Sequence, residues 1–151
     1  MAAPAKYLWR CLDRLDEIPL PNYTPGELAD KPLWQQRDHE GAYHGNWFAY
    51  DDFSDRDHRY VTASYWAMCD LIDVQVGRML KALEQTGQLE NTMVIYMSDH
   101  GEMLGDHGIY LKGPFFYDCA IRVPLIIRGP TFLAQPSDSL VELVDLAQTI
   151  L

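Results

Sequence analysis

The stretch from Ser98 to Pro114 concentrates side chains that can bind ions. It reads SDHGEMLGDHGIYLKGP and contains two Asp-His pairs seven residues apart, followed by one lysine. A carboxylate and an imidazole at the end of a strand can both turn toward one cation. Carboxylate oxygens suit Ca²⁺, Mg²⁺ and Mn²⁺, and an imidazole nitrogen favours Mn²⁺ or Zn²⁺. Asp99 and His100 are therefore the first candidate metal ligands.

The second pair and the lysine extend this candidate site. Asp106 and His107 could be further ligands or could orient the first pair. Lys112, thirteen residues after Asp99, is the only basic residue of the stretch besides the histidines. A lysine beside a bound cation can hold an anion such as sulfate or phosphate between the two charges. Asp-His pairs after strands are also common in helix caps and surface turns, so spacing alone leaves that interpretation open.

Two apolar runs predict strands on either side of this stretch. Residues 93–97 follow a turn and read as a buried strand, and residues 123–127 read as a second strand. Pro124 argues against this strand unless the proline lies at the start of the strand or the strand lies at the edge of the sheet. The long loop between the strands, from Ser98 to Ile121, predicts a functional role, because ligands bind beyond the carboxyl ends of strands in open α/β sheets.

A long helix is predicted before the first strand, from about Asp57 to Thr86. This stretch has no proline and one glycine, and Ser54 or Asp55 can cap its start. Its apolar residues recur at steps of mostly three and four, which is one face of a helix. That face consists of Val61, Tyr65, Met68, Ile72, Val76, Met79, Leu80 and Leu83.

The order of elements predicts an α/β fold, in which a sheet is flanked by helices. A last helix is predicted from Ser139 to the end of the chain. Only two strands are convincing, whereas a sheet usually has about five or six. The prediction is therefore one incomplete domain, with an irregular, proline-rich segment at residues 1–55 and the domain's C-terminal part at residues 56–151.

Composition excludes several classes of partner and site. Twelve basic and 22 acidic residues give a net charge of −10, which disfavours nucleic acid and anionic membrane surfaces. Three distant cysteines without a CxxC argue against a disulfide framework or a zinc ribbon. We expect no membrane span and no signal peptide, and the compartment stays undetermined. His39, His44 and His58 lie in polar surroundings and are expected to be exposed.

The run from Asn91 to Pro130 resembles the C-terminal half of the sulfatase catalytic domain, in the alkaline phosphatase superfamily. The strand, S-D-H-G, G-D-H-G, Lys112 and R-V-P-L-I-I occur in the order and spacing of that family. The resemblance extends over about residues 55–151, and the segment DEIPLPNYTPGE is a weaker match of the same kind.

The resemblance implies a mostly parallel sheet flanked by helices and a metal-dependent hydrolase of small-molecule sulfate or phosphonate esters. Asp99 and His100 would bind the cation, most often Ca²⁺ in sulfatases and Mn²⁺ or Zn²⁺ in phosphonate-type relatives. Lys112 would contact the oxygens of the substrate's sulfate or phosphoryl group. His107 would lie near the site.

Three features of the family have no counterpart in this sequence. The C/S-x-P-x-R motif that carries the nucleophile, the N-terminal Asp pair and the catalytic His upstream are all missing. One hypothesis is a sulfuric ester hydrolase represented by part of its catalytic domain, with a phosphonate or phosphate ester hydrolase as a variant. The other is a non-catalytic remnant that acts as a binding module. In either case the missing N-terminal half or another chain would be needed to complete the sheet.

Overall fold

The structure, a computed structural model, describes residues 4–45, 47–132 and 134–151. Within these residues, six helices accompany two strands, β1 (Val94–Met97) and β2 (Leu125–Arg128). The helices are α1 (Ala5–Leu12), α2 (Leu33–Glu40), α3 (Ala42–Gly45), α4 (Asp55–Gln85), α5 (Asp118–Ile121) and α6 (Asp145–Ile150). Single 3-10 turns lie at Leu15–Glu17, Tyr50–Asp52, Leu89–Asn91 and Asp106–Gly108.

The long helix α4 begins and ends where its sequence predicts. Ser54 caps the start: its hydroxyl accepts the Asp57 amide at 3.3 Å, and the Asp57 carboxylate accepts the Ser54 amide at 3.0 Å. This reciprocal arrangement satisfies amides that have no partner within the helix. Thr86 is the C-cap residue of α4, and Gly87 adopts a left-handed φ of +67° that ends the helix.

The face of α4 that packs agrees only in part with the one that the large apolar residues predict: Met68 packs beside Tyr7, but the most buried residues are alanines. Ala63 and Ala67 are fully buried, because their small side chains let α1 and the Leu15–Glu17 turn approach closely. Tyr7 packs beside Ala67, and Leu15 and Ile18 pack beside Ala63. The predicted face is exposed in part: Tyr65, Ile72 and Met79 keep 41%, 45% and 60% of their surface in solvent.

The two strands form an antiparallel ladder that pairs Val94 with Arg128 and Met97 with Leu125. Both lie within two residues of their predicted positions, and Pro124 directly precedes β2 as expected. The prediction that the first strand is buried is wrong for its second half, since Tyr96 and Met97 are 39% and 49% exposed. No third strand lies in the described part of the chain to cover that surface.

Two predicted boundaries need correction. Residues 1–55 are not irregular throughout, because α1 and α2 each begin directly after a proline, Pro4 and Pro32. Proline's fixed φ suits the start of a helix even though it breaks a helix interior. The last helix begins at Asp145 rather than Ser139, since the Asp145 carboxylate accepts the Glu142 amide at 2.9 Å and holds the preceding residues in a turn.

The loop between the strands folds back on itself as a short hairpin. The Met103 amide donates to the Leu111 carbonyl at 3.0 Å, and the Gly105 amide donates to the Ile109 carbonyl at 3.0 Å. At the base of the loop, the Gly101 amide donates to the Ala120 carbonyl at 2.8 Å. A Cβ at Gly101 would overlap the Cys119 carbonyl oxygen, so glycine is required for this close approach.

A histidine in the first turn of α4 joins the hairpin to the helix. His58 is 5% exposed, and its Nδ1 lies 2.5 Å from the Tyr110 hydroxyl. Tyr50 and Phe53 surround the pair with their rings. Burial lowers the pKa of His58 and raises that of Tyr110.

The expected exposure of the histidines outside the loop is therefore wrong at two positions. His58 is buried, and His39 retains 18% of its side-chain surface and places its Nδ1 2.7 Å from the Gly108 carbonyl. The ring of Tyr50 lies beside both imidazoles, with its centroid 5.6 Å from that of His39 and 4.4 Å from that of His58. The side chain of His44 lies outside what the structure describes.

Replacing Gly101 by alanine should lower the free energy of unfolding by about 3 kcal/mol or more, since the backbone at Cys119 would have to move. The matched control is Gly77→Ala on α4, where a Cβ meets nothing within 4 Å. There, alanine should raise stability by about 0.5–1 kcal/mol. Chemical denaturation of both variants measures the difference, and equal effects would contradict the close approach at Gly101.

Stability should fall as the pH is lowered from 7.5 to 5.5 because His58 is buried in its neutral form. The unfolded chain binds a proton near the ordinary histidine pKa of 6.5, whereas the folded chain binds it only at lower pH. The charges of Asp55 and Asp57 oppose this effect in part. Denaturation at several pH values measures the slope, which should be shallower in His58→Gln; an unchanged slope in that variant would contradict the assignment to His58.

Candidate functional site

The first Asp-His pair lies at the carboxyl end of β1, where the sequence predicts it. The Ser98 hydroxyl donates to the His100 carbonyl at 2.7 Å, and the His100 amide donates to Asp99 Oδ1 at 3.0 Å. These local bonds form a tight turn directly after the strand. Asp99 and His100 side chains are 85% and 46% exposed, so both are open to solvent and to a ligand.

The imidazole of His100 is oriented by the backbone. Its Nδ1 lies 2.7 Å from the Gly101 carbonyl, which can only accept, so Nδ1 carries the hydrogen. In the neutral ring Nε2 is then free to coordinate, which is how metal-binding histidines are commonly held. Nε2 lies 3.7 Å from Asp99 Oδ2, a separation that one cation at roughly 2.0–2.5 Å from each atom can bridge.

The pair supplies two donors, and cations of this type need more. Within the described residues, no group of three or more His, Cys, Asp or Glu side chains lies close enough to hold a metal ion. The donor chemistry of Asp99 and His100 fits a divalent cation, but further oxygen or nitrogen ligands would have to come from other residues, water or substrate.

Lys112 lies on the returning arm of the hairpin. The bond between the Met103 amide and the Leu111 carbonyl brings the backbone of Lys112 back beside Met103, which is three residues beyond His100 in the chain. The lysine is exposed and forms no ion pair with any residue that the structure describes. An unpaired ammonium group at this position is available to an anionic ligand.

Glu102 lies between these residues and was not singled out from the sequence. Its carboxylate accepts the Leu104 amide at 3.2 Å. Burial raises the pKa of Glu102, while bonds from the Leu104 and Leu111 backbone and the nearby His100 oppose the shift. Its position between the two Asp-His pairs is the sequence feature that could have identified it as a candidate. Spacing does not predict that an acidic side chain in a glycine-rich loop is partly buried.

The second Asp-His pair contacts the N-terminal part of the chain. Asp106 Oδ1 accepts the Asn22 amide at 2.8 Å, and the His107 amide donates to the Asn22 carbonyl at 2.8 Å. His107 Nδ1 lies 3.3 Å from Glu27 Oε2, and its ring stacks on Tyr117 with centroids 4.0 Å apart. The described residues thus give the two pairs different surroundings, and a role of His107 near the substrate stays a prediction.

Comparison with known proteins gives a consistent result. The family model described as Sulfatase matches residues 32–151. An uncharacterized sulfatase of Escherichia coli K12, YidJ, is 37% identical over 98% of this chain and 28% of its own length. Arylsulfatase K of Bos taurus is 39% identical over 66% of this chain and 18% of its own length. The chain therefore spans less than a third of the length of these curated relatives.

The fold comparison agrees with the sequence comparison. The solved structure of the phosphonate monoester hydrolase SpPMH from Silicibacter pomeroyi superposes with a TM-score of 0.69 at 30% identity. The match covers 85% of this chain and 26% of that enzyme, so the α/β arrangement seen here corresponds to part of a larger fold. Because the family model covers most of the chain and the identities are high, this chain belongs to the sulfatase family, within the alkaline phosphatase superfamily.

Proposed function

We propose that this chain is part of a metal-dependent sulfuric ester hydrolase and contributes one side of its active site. The observation that carries the proposal is the geometry at the end of β1, where Asp99 Oδ2 and His100 Nε2 face each other at 3.7 Å. The family membership supplies the reaction class, and relatives named as sulfatases support sulfate esters as substrates.

In this proposal Asp99 and His100 hold a divalent cation, with Ca²⁺ as the first candidate and Mn²⁺ or Zn²⁺ as alternatives. A bound cation would withdraw charge from the sulfate oxygens and so stabilise the transition state. The Gly101 carbonyl fixes the His100 ring through Nδ1, which keeps Nε2 directed at the ligand. Lys112 contacts a non-bridging oxygen of the ester and stabilises the charge that develops there.

The nucleophile and the remaining ligands would come from residues that this sequence does not contain. We propose that they lie in a further part of the catalytic domain, on the same polypeptide or on another. The exposed surfaces of Tyr96, Met97 and Ile126, at 39%, 49% and 62%, support this, since apolar side chains of a central sheet are normally covered. No helix among the described residues is long and apolar enough to cross a bilayer.

A phosphonate or phosphate ester hydrolase is the second candidate. The observation that favours it is the superposition on a phosphonate monoester hydrolase with a TM-score of 0.69. Sulfate and phosphonate esters both present non-bridging oxygens to the cation and the lysine, so the residues of this chain alone do not choose between them.

The test uses the longest polypeptide that the gene encodes around these residues, assayed on p-nitrophenyl sulfate and on a p-nitrophenyl phosphonate ester. Asp99→Asn keeps the size of the side chain and removes its charge, and it should reduce both cation affinity and kcat by about 100-fold. Lys112→Met should reduce kcat/KM by roughly 100-fold while cation affinity stays unchanged.

Exposed residues of the same types on α4 provide matched controls. Asp73→Asn and Lys81→Met should leave cation affinity and turnover unchanged. Sulfate ester turnover that survives both Asp99→Asn and Lys112→Met would refute the assignment of the site. Turnover of the phosphonate ester alone would favour the second candidate, and no turnover of either ester with Ca²⁺, Mn²⁺ or Zn²⁺ would favour a non-catalytic binding module.

A further inference from the structure

The hairpin that carries Lys112 rests on residues 21–39, which we call the N-terminal clasp. The tip of the hairpin consists of residues 105–108. Asn22 bonds to this tip through both of its backbone groups. Its amide donates to Asp106 Oδ1 at 2.8 Å, and its carbonyl accepts the His107 amide at 2.8 Å. Two short bonds across a sequence separation of more than 80 residues fix the tip in both position and orientation.

A partly buried acid–base pair reinforces this contact. Thr24 donates its amide to Glu27 Oε1 at 3.3 Å, which directs Oε2 toward His107 Nδ1, also at 3.3 Å. The carboxylate accepts, so Nδ1 of His107 carries a hydrogen whatever the charge of the ring. The side chains of Glu27 and His107 are 26% and 28% exposed, so the pair is less screened by water than an ion pair on the open surface.

Besides this contact at the edge of the ring, one face of the His107 ring is also packed. It stacks on Tyr117 at an interplanar angle of 14°, and the Tyr117 hydroxyl donates to Gln35 Oε1 of the clasp at 2.9 Å. His107 also adopts a left-handed φ of +56°, which is uncommon for a residue with a side chain. Such a conformation persists where surrounding contacts determine it, and here those contacts come from the clasp and from Tyr117, the residue directly before α5.

Steric contacts leave the tip little freedom to shift. A Cβ at Gly105 would lie 2.7 Å from Pro21, and a Cβ at Gly108 would lie 2.6 Å from His39. Leu28 of the clasp enters the buried cluster under the hairpin, together with Met103 and Ile109. Pro21, His39 and Leu28 thus add three separate contacts between the clasp and the hairpin.

We infer that the clasp is a positioning element of the active site, with Glu27 and His107 as its positioning residues. The backbone bonds that pair Met103 with Leu111 and Gly105 with Ile109 transmit the position of the tip to Lys112, which directly follows Leu111 in the chain. The clasp thereby sets where the ammonium group meets the substrate's oxygens. This inference rests on the proposed function, because it assigns a role in substrate binding through Lys112.

The experiment uses the longest polypeptide encoded around these residues and three variants. Glu27→Gln keeps the size of the side chain and removes its charge. His107→Asn removes the ring and keeps a residue that tolerates the left-handed conformation. Glu17→Gln is the matched control, since Glu17 lies outside the clasp and pairs with Arg14 on the exposed surface.

Three quantities are measured: KM and kcat for p-nitrophenyl sulfate, cation affinity, and hydrogen exchange at the amides of Met103, Gly105 and Asp106. We expect Glu27→Gln and His107→Asn each to raise KM about tenfold, within the loss that misplacement of a binding group can cause. The double variant should add little to His107→Asn, because both substitutions remove the interaction between Glu27 and His107. Exchange at the three amides should accelerate, while cation affinity and the control variant stay at wild-type values.

A fall in kcat with unchanged KM and unchanged exchange would overturn the inference. A smaller amount of active protein gives that result without any displacement of Lys112. Unchanged KM, kcat and exchange in both variants would overturn it as well. If the wild-type polypeptide hydrolyses neither sulfate nor phosphonate esters, the proposed function fails. Hydrogen exchange then tests separately whether the clasp fixes the hairpin. Faster exchange confined to the hairpin supports this role, and unchanged exchange overturns it.

Discussion

Leu28 and the hairpin residues Met103 and Ile109 share one buried cluster, and the geometry of the candidate site depends on that packing. Met103 and Ile109 are fully buried, and each such side chain contributes about 1.5–3 kcal/mol relative to exposure. The 27 residues between β1 and β2 carry four glycines from Gly101 to Gly113, so ordering them costs much backbone entropy. Burial against the N-terminal segment offsets that cost and gives Asp99, His100 and Lys112 a defined scaffold.

Charge is distributed unevenly around that scaffold. The chain carries a net charge of −10, yet the loop between the strands carries an exposed lysine that forms no ion pair within the described residues, as well as an exposed carboxylate and an imidazole. A bulk negative potential opposes the approach of anionic esters and favours cations. A cation held by Asp99 and His100 would reverse the local sign, which is the physical reason that cation and lysine are assigned together.

Packing is unequal on the two sides of α4. The side formed by Ala63 and Ala67 is closed by α1, whereas Tyr65 and Ile72 stay exposed, as do Tyr96 and Met97 of β1. The relatives are several times longer than this chain, which spans 28% of the Escherichia coli protein and 18% of the bovine one. Large apolar side chains on a central helix and strand are suited to contact with such additional structure.

Local sequence determined α4, the two strands and the first half of the candidate site. The 3.6-residue periodicity, Ser54 and the Thr86-Gly87 pair fixed α4, and an apolar run followed by S-D-H-G placed Asp99 and His100 at the end of β1. These features depend on neighbours within a few residues, so spacing and residue type suffice to predict them.

Only the tertiary structure decided which polar residues are buried and what they contact. His58 looked exposed because it lies in a polar first turn, and its burial depends on Tyr50 and Tyr110 from elsewhere in the chain. Asp106 and His107 repeat the type of the first pair, but Asn22 and Glu27, about 80 residues away, give them a different partner. The type of a residue determines what its side chain can bind. Its actual partner depends on contacts between distant segments, which no local sequence pattern predicts.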